Sequence, residues 1–128
     1  MAKLDKWQAQ HTFWSGFKIP AYDERSVPDD ATMPYITYQA VGGAMGEQGS
    51  VSASLWYRSN SWDAISKKAD EIIKAVYDDV RPAIPIDNGY IKIRIPDTTY
   101  FAQRMDEPGD KEVRRIILTL EIEFLTNY

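Results

Sequence analysis

The alternation in residues 115–125 constrains this chain more than any other feature. Ile116, Leu118, Leu120, Ile122 and Phe124 share one parity, and Arg115, Thr119, Glu121 and Glu123 fall on the other. A period of two over that length fits a β-strand with one dry face and one wetter face. Such a strand is stable only when paired, so its partners must be sought elsewhere in the chain.

Three stretches fit. Residues 35–41 are rich in aromatic and β-branched side chains. In residues 51–58, Val51, Ala53, Leu55 and Tyr57 alternate with Ser52, Ser54, Trp56 and Arg58. The glycine-rich link 42–49 between these two predicts an antiparallel hairpin. After the Asn88-Gly89 turn, Ile91, Ile93 and Ile95 alternate with Tyr90, Lys92 and Arg94. A shorter extended piece is expected within 98–105, followed by a turn at Pro108-Gly109-Asp110.

Two helices complete the set. Residues 61–77 carry Trp62, Ile65, Ala69, Ile72, Ile73 and Val76 as one apolar stripe. Asn60 or Ser61 supplies a cap, Asp63 suits the positive helix end, and Pro82 and Pro85 prevent continuation. A shorter helix within 4–17 ends at Gly16. Residues 18–33, with Pro20, Pro28 and Asp29-Asp30, read as loop. The expected fold is one α+β domain over 1–128. It has a four- or five-stranded antiparallel or mixed sheet with helices packed on one face.

With 128 residues the chain can bury a core without disulfide or metal, and it has no cysteine for either. A net charge of −4 argues against tight nucleic-acid binding. The longest apolar run, Ile116-Ile117-Leu118, is far too short for a membrane span, and residues 1–6 lack the apolar core of a signal peptide. A soluble protein with no membrane partner is expected.

Catalytic chemistry finds little support. His11 is the single histidine, and nothing close in sequence orients it. The 42–49 loop lacks the Gly-Lys-Ser/Thr ending of a phosphate-binding loop and leads into a strand, so it reads as a mobile hairpin tip. An alternative is a loop that orders against a neighbouring subunit. Glu121 and Glu123 share a strand face and are expected to pair with Lys92 and Arg94. Trp56 projects away from Val51, Ala53 and Leu55, either under another element or into a subunit contact.

The pieces Met33-Pro34-Tyr35-Ile36-Thr37-Tyr38, Ser54-Leu55-Trp56-Tyr57-Arg58-Ser59, Ser61-Trp62-Asp63-Ala64-Ile65, Phe101-Ala102-Gln103-Arg104-Met105 and Arg114-Arg115-Ile116 occur in this order. From Phe13 to Tyr128 the chain resembles the tail-terminator, or tail-completion, proteins of long-tailed phages and prophages of Gram-positive hosts. The resemblance implies a structural virion protein of the tail neck, assembled in the host cytoplasm. It implies a ring, usually a hexamer, that caps the head-proximal end of the tail tube and stops its polymerisation. The implied partners are other copies of the chain, the tail tube protein and the head-tail connector or stopper. DNA would pass through the lumen without specific binding, with residues 97–111 as a candidate lining.

The expected subunit or partner interface comprises Trp56, Tyr57 and Arg58, Gly43, Met45 and Gly46 in the loop, and Arg104 and Met105. No catalytic residue, metal or cofactor is expected. The alternatives are a head-completion or stopper protein of the neck, and a small ligand-binding domain or enzyme.

Overall fold

Two long strands form the middle of the sheet and shorter ones flank them in a computed structural model that describes residues 4–78, 83–97 and 99–126. The elements, in chain order, are α1 (Lys6–Ser15), β1 (Ala21–Asp23), β2 (Tyr35–Tyr38), β3 (Gln48–Arg58) and α2 (Asp63–Asp78). They continue with β4 (Ala83–Ile86), β5 (Gly89–Arg94), β6 (Ala102–Met105) and β7 (Val113–Thr126). Asp79 and Pro82 lie outside the described residues.

β7 is the axis. β3 pairs antiparallel along one of its edges, from Arg58↔Val113 to Gln48↔Glu123. Its other edge is shared: β6 takes residues 115–118 and β5 takes residues 121–126. β2 adds to β3, β1 adds to β2 in parallel, and β4 closes a hairpin on β5. The result is a seven-stranded mixed sheet, larger than the four or five strands expected.

The surplus strands explain the discrepancy. β1 has three residues and β4 has four, too few to show a period, and β4 contains Pro85. β1 lies inside 18–33, the stretch expected to be loop, so that expectation is corrected. It forms because β2 supplies a neighbouring edge, with Ile36 N–H donating to the Pro20 carbonyl at 2.8 Å. Pro85 is tolerated because β4 is an outer strand, where one row of N–H groups has no partner to lose.

The even-numbered residues of β7 from Ile116 to Thr126 are all buried. Leu55, Ala53 and Val51 of β3 stand opposite Ile116, Leu118 and Leu120, and Ile91 and Ile93 of β5 stand opposite Phe124 and Ile122. Ile65, Ala69, Ile72 and Val76 of α2 join the same cluster, as do Ala9 and Trp14 of α1. Each fully buried aliphatic side chain contributes roughly 1.5–3 kcal/mol.

Ser61 Oγ accepts from Asp63 N–H at the start of α2, and Asp63 pairs with Lys67 one turn on. α1 opens with a reciprocal cap, Asp5 accepting from Gln8 N–H and the Gln8 side chain accepting from Asp5 N–H. α1 touches β1 and β4, the two ends of the strand order, and Asp87 N–H donates to Leu4 O. The sheet is therefore curled, with α1 spanning its extremities.

Candidate functional site

One face of the sheet supplies the core, and the other presents a built surface. Its central row crosses four strands: Tyr35 of β2, Trp56 of β3, Arg115 of β7 and Met105 of β6 stand in register. The Arg115 guanidinium lies 4.7 Å from the Trp56 ring centroid. Arg115 Nε also donates to Ser54 Oγ at 3.1 Å, and one terminal nitrogen pairs with Glu107 at 3.2 Å. Trp56 Nε1 donates to Thr37 Oγ1 at 2.9 Å, which lays the indole across β2. Tyr35 tilts against Trp56, and Tyr22 of β1 meets Tyr35 edge-on at 5.8 Å between centroids. The ridge is thus both apolar and fixed in shape. Rings held this way lose little side-chain entropy when a partner covers them.

The remainder of this face mixes polar and charged residues with Ile117, Leu125 and Tyr90. Arg94 donates to Glu121 at 2.9 Å and to Gln48 at 3.0 Å. Lys92 stands opposite Glu123 in the ladder. The Arg94–Glu121 pair is therefore formed as the sequence implied.

At the N-terminal end of β7 the face that carries Ile116 holds a second feature. The Trp62 ring lies between two guanidiniums, with Arg104 at 5.0 Å and Arg114 at 5.3 Å from its centroid. Arg104 is exposed and Arg114 half-buried, and Arg114 Nε is buried without a hydrogen-bond partner. Among the described residues no carboxylate comes within ion-pair distance of either.

The glycine-rich loop differs from a mobile hairpin tip. Gln10, a buried polar side chain of α1, grips Val41 on both sides: Nε2 donates to the Val41 carbonyl and Oε1 accepts from Val41 N–H. Lys6 Nζ reaches Gly43 O. Gly46 N–H donates to Phe124 O, and Phe124 N–H donates to Glu47 O. Gly43 is buried with its Cα facing the Phe124 ring, so this glycine serves internal packing. Met45 and Gly46 are exposed on the outside of this anchored loop.

His11 has partners that its sequence neighbourhood did not suggest. Its Nδ1 lies 2.9 Å from the Tyr38 hydroxyl, and Ser15 Oγ lies 3.2 Å from its Nε2. Burial pushes the Tyr38 hydroxyl above its ordinary pKa, and the Asp23 carboxylate adds to that. A groove of about 460 Å³ beside them is lined by Trp7, His11, Asp23, Tyr38 and Ala40 among others. Ser15 is not among the residues that line it. The described residues contain no group of three His, Asp or Glu side chains placed to hold a metal. No helix among them is long and apolar enough to cross a membrane.

The expected interface residues fall into two groups. Trp56, Arg58, Arg104 and Met105 gather near the N-terminal end of β7, and Gly43, Met45 and Gly46 gather near Phe124. Nine residues of strand separate them, roughly 30 Å. Trp56 and Tyr57 project to opposite faces, and Tyr57 packs partly buried against the core. Arg58 is engaged by Asp110 at 2.8 Å. Tyr22 and Tyr35 are the participants that sequence reasoning did not single out. The position of Tyr35 opposite Trp56 in a hairpin was the available signal. Comparison with protein-family models and with curated proteins returns no match.

Proposed function

We propose that this chain is a structural, ring-forming protein of a long-tailed phage, a tail terminator that caps the head-proximal end of the tail tube. In this reading both helices sit on the buried face of the sheet, and the opposite face, the β6 edge and the loop after β1 are left for neighbours. The observation that carries it is the half-buried ridge Tyr22–Tyr35–Trp56–Arg115–Met105, largely aromatic and braced by hydrogen bonds. Aromatic and arginine side chains held rigid on a surface are the usual centre of a protein–protein interface.

A ring needs two unlike patches on each copy that meet head to tail and close. The two margins of the sheet are unlike here, β1 being a parallel addition and β6 an antiparallel one. The ring would stop tube polymerisation on one side and receive the head connector on the other. DNA would pass through a lumen of net acidic protein, which does not hold phosphates. The chain would act in the virion neck, without cofactor or catalysis.

The test is assembly. The purified chain is expected to form a closed oligomer by light scattering and electron microscopy, alone or on purified tail tubes. Phage lacking the gene are expected to make tails of irregular, excessive length. Tails of uniform normal length in its absence would reject the proposal. Recovery of the protein with filled heads, and never with free tails, would favour a stopper on the head side.

A further inference from the structure

Unpartnered charge of opposite sign sits at the two margins of one strand row. Ala21, Ile36, Leu55, Ile116 and Arg104 are in register across β1, β2, β3, β7 and β6. Four interstrand spacings separate the margins by roughly 19 Å. At the β6 margin, Arg104 and Arg114 converge on Trp62 with no carboxylate in reach among the described residues. At the β1 margin, the connection from β1 to β2 carries Glu24, Asp29 and Asp30, all exposed and in no ion pair among the described residues. Arg25 offsets only one of these three charges.

Two guanidiniums held at one ring repel each other; Arg114 donates from a terminal nitrogen to the Lys111 carbonyl at 2.7 Å, yet neither cation has a counter-charge among the described residues. A carboxylate at the exposed Arg104 fork relieves the repulsion, because it accepts two parallel N–H bonds and brings a negative charge beside both cations. The aromatic ring behind the forks fixes their planes.

We infer that the acidic loop of residues 24–30 of one copy docks on the Arg104–Trp62–Arg114 site of the next. This rests on the ring reading and supplies it with a head-to-tail contact. The occupant is a second copy because the complementary patch is on this same chain, at the opposite margin, where a heterologous contact requires it. The pairing also lets copies of net charge −4 approach each other.

Charge-swapped variants test the inference. Arg104→Glu and the double variant Asp29→Lys/Asp30→Lys change exposed positions, and circular dichroism checks that each folds; Arg104→Gln serves if Arg104→Glu does not. Each is expected to weaken self-association in sedimentation velocity by about tenfold or more at low salt. Mixed in equal amounts, the two are expected to recover association, since each site then meets a loop of opposite sign in an alternating ring. Folded variants that associate like the parent chain, or a mixture that shows no recovery, would overturn the docking while leaving ring formation standing. A parent chain that stays monomeric alone and on tail tubes would overturn both. Loss of binding to a DNA duplex in Arg104→Glu, with association unchanged, would assign the arginines to phosphate instead and likewise overturn the docking.

Discussion

Gly43 and Gly49 lie in or beside the same loop, yet they face opposite constraints. A Cβ on Gly43 would enter the Phe124 ring, whereas one on Gly49 would meet nothing within 4 Å. Gly43→Ala should therefore lower unfolding free energy by about 1–3 kcal/mol through overpacking. Gly49→Ala should leave it unchanged or slightly raised, and urea titration of the pair checks the contrast. Gly89 is fixed for a different reason. Its φ of +145° suits glycine, and a Cβ would run into the Leu125 carbonyl of the paired strand. Buried Tyr38 and half-buried Tyr57 make stability depend on pH in the alkaline range. Burial raises the hydroxyl pKa of Tyr38 and of Tyr57 above the ordinary 10.0, with Asp23 and Glu71 respectively adding to the effect. The folded state then holds these protons more tightly than the unfolded chain does. Their contribution is complete below the unfolded pKa and is lost as pH rises through the folded values. Stability should fall above about pH 10, and Tyr38→Phe should flatten that slope in urea titrations run across the alkaline range.

At the scale of elements, legibility followed length. β7 and β3 were readable because fourteen and eleven residues give period two room to show. α2 was readable because its stripe repeats over four turns and Ser61 marks its start. β1 and β4 carry no such signal. They are strands because a neighbour offers an edge, which is tertiary information. The glycine-rich loop misled for the same reason. Glycines usually announce mobility, and here Gln10, thirty-one residues earlier than Val41, holds the loop by its backbone. Replacing Gln10 with alanine removes three partly buried hydrogen bonds, one to the Lys6 carbonyl and two that hold the Val41 N–H and carbonyl. The expected cost is about 1–3 kcal/mol. Amide hydrogen exchange should show faster opening in residues 41–47, with the centre of β7 unchanged; uniform acceleration everywhere would mean that Gln10 supports the whole core instead.

For the whole molecule, the ridge on the open face separates two accounts of its aromatics. If Trp56 serves the monomer, its loss is felt in stability. If it serves a contact, its loss is felt in assembly. The monomer-side interactions are modest: a cation–π contact with Arg115 at a partly exposed site is worth about 0.5–1 kcal/mol. One hydrogen bond to Thr37 adds about 0.5–1.5 kcal/mol. An interface anchor of the same size costs about 2 kcal/mol or more per contact when truncated. A ring repeats that contact at every interface, so the deficits accumulate around it. Trp56→Ala should then lower the unfolding free energy by about the 1–2.5 kcal/mol of those monomer contacts while shifting oligomer to monomer at concentrations where the parent chain is assembled. Sedimentation velocity and urea titration of one preparation measure both. Equal loss in the two measurements would return Trp56 to the monomer's own packing and leave the open face without its anchor.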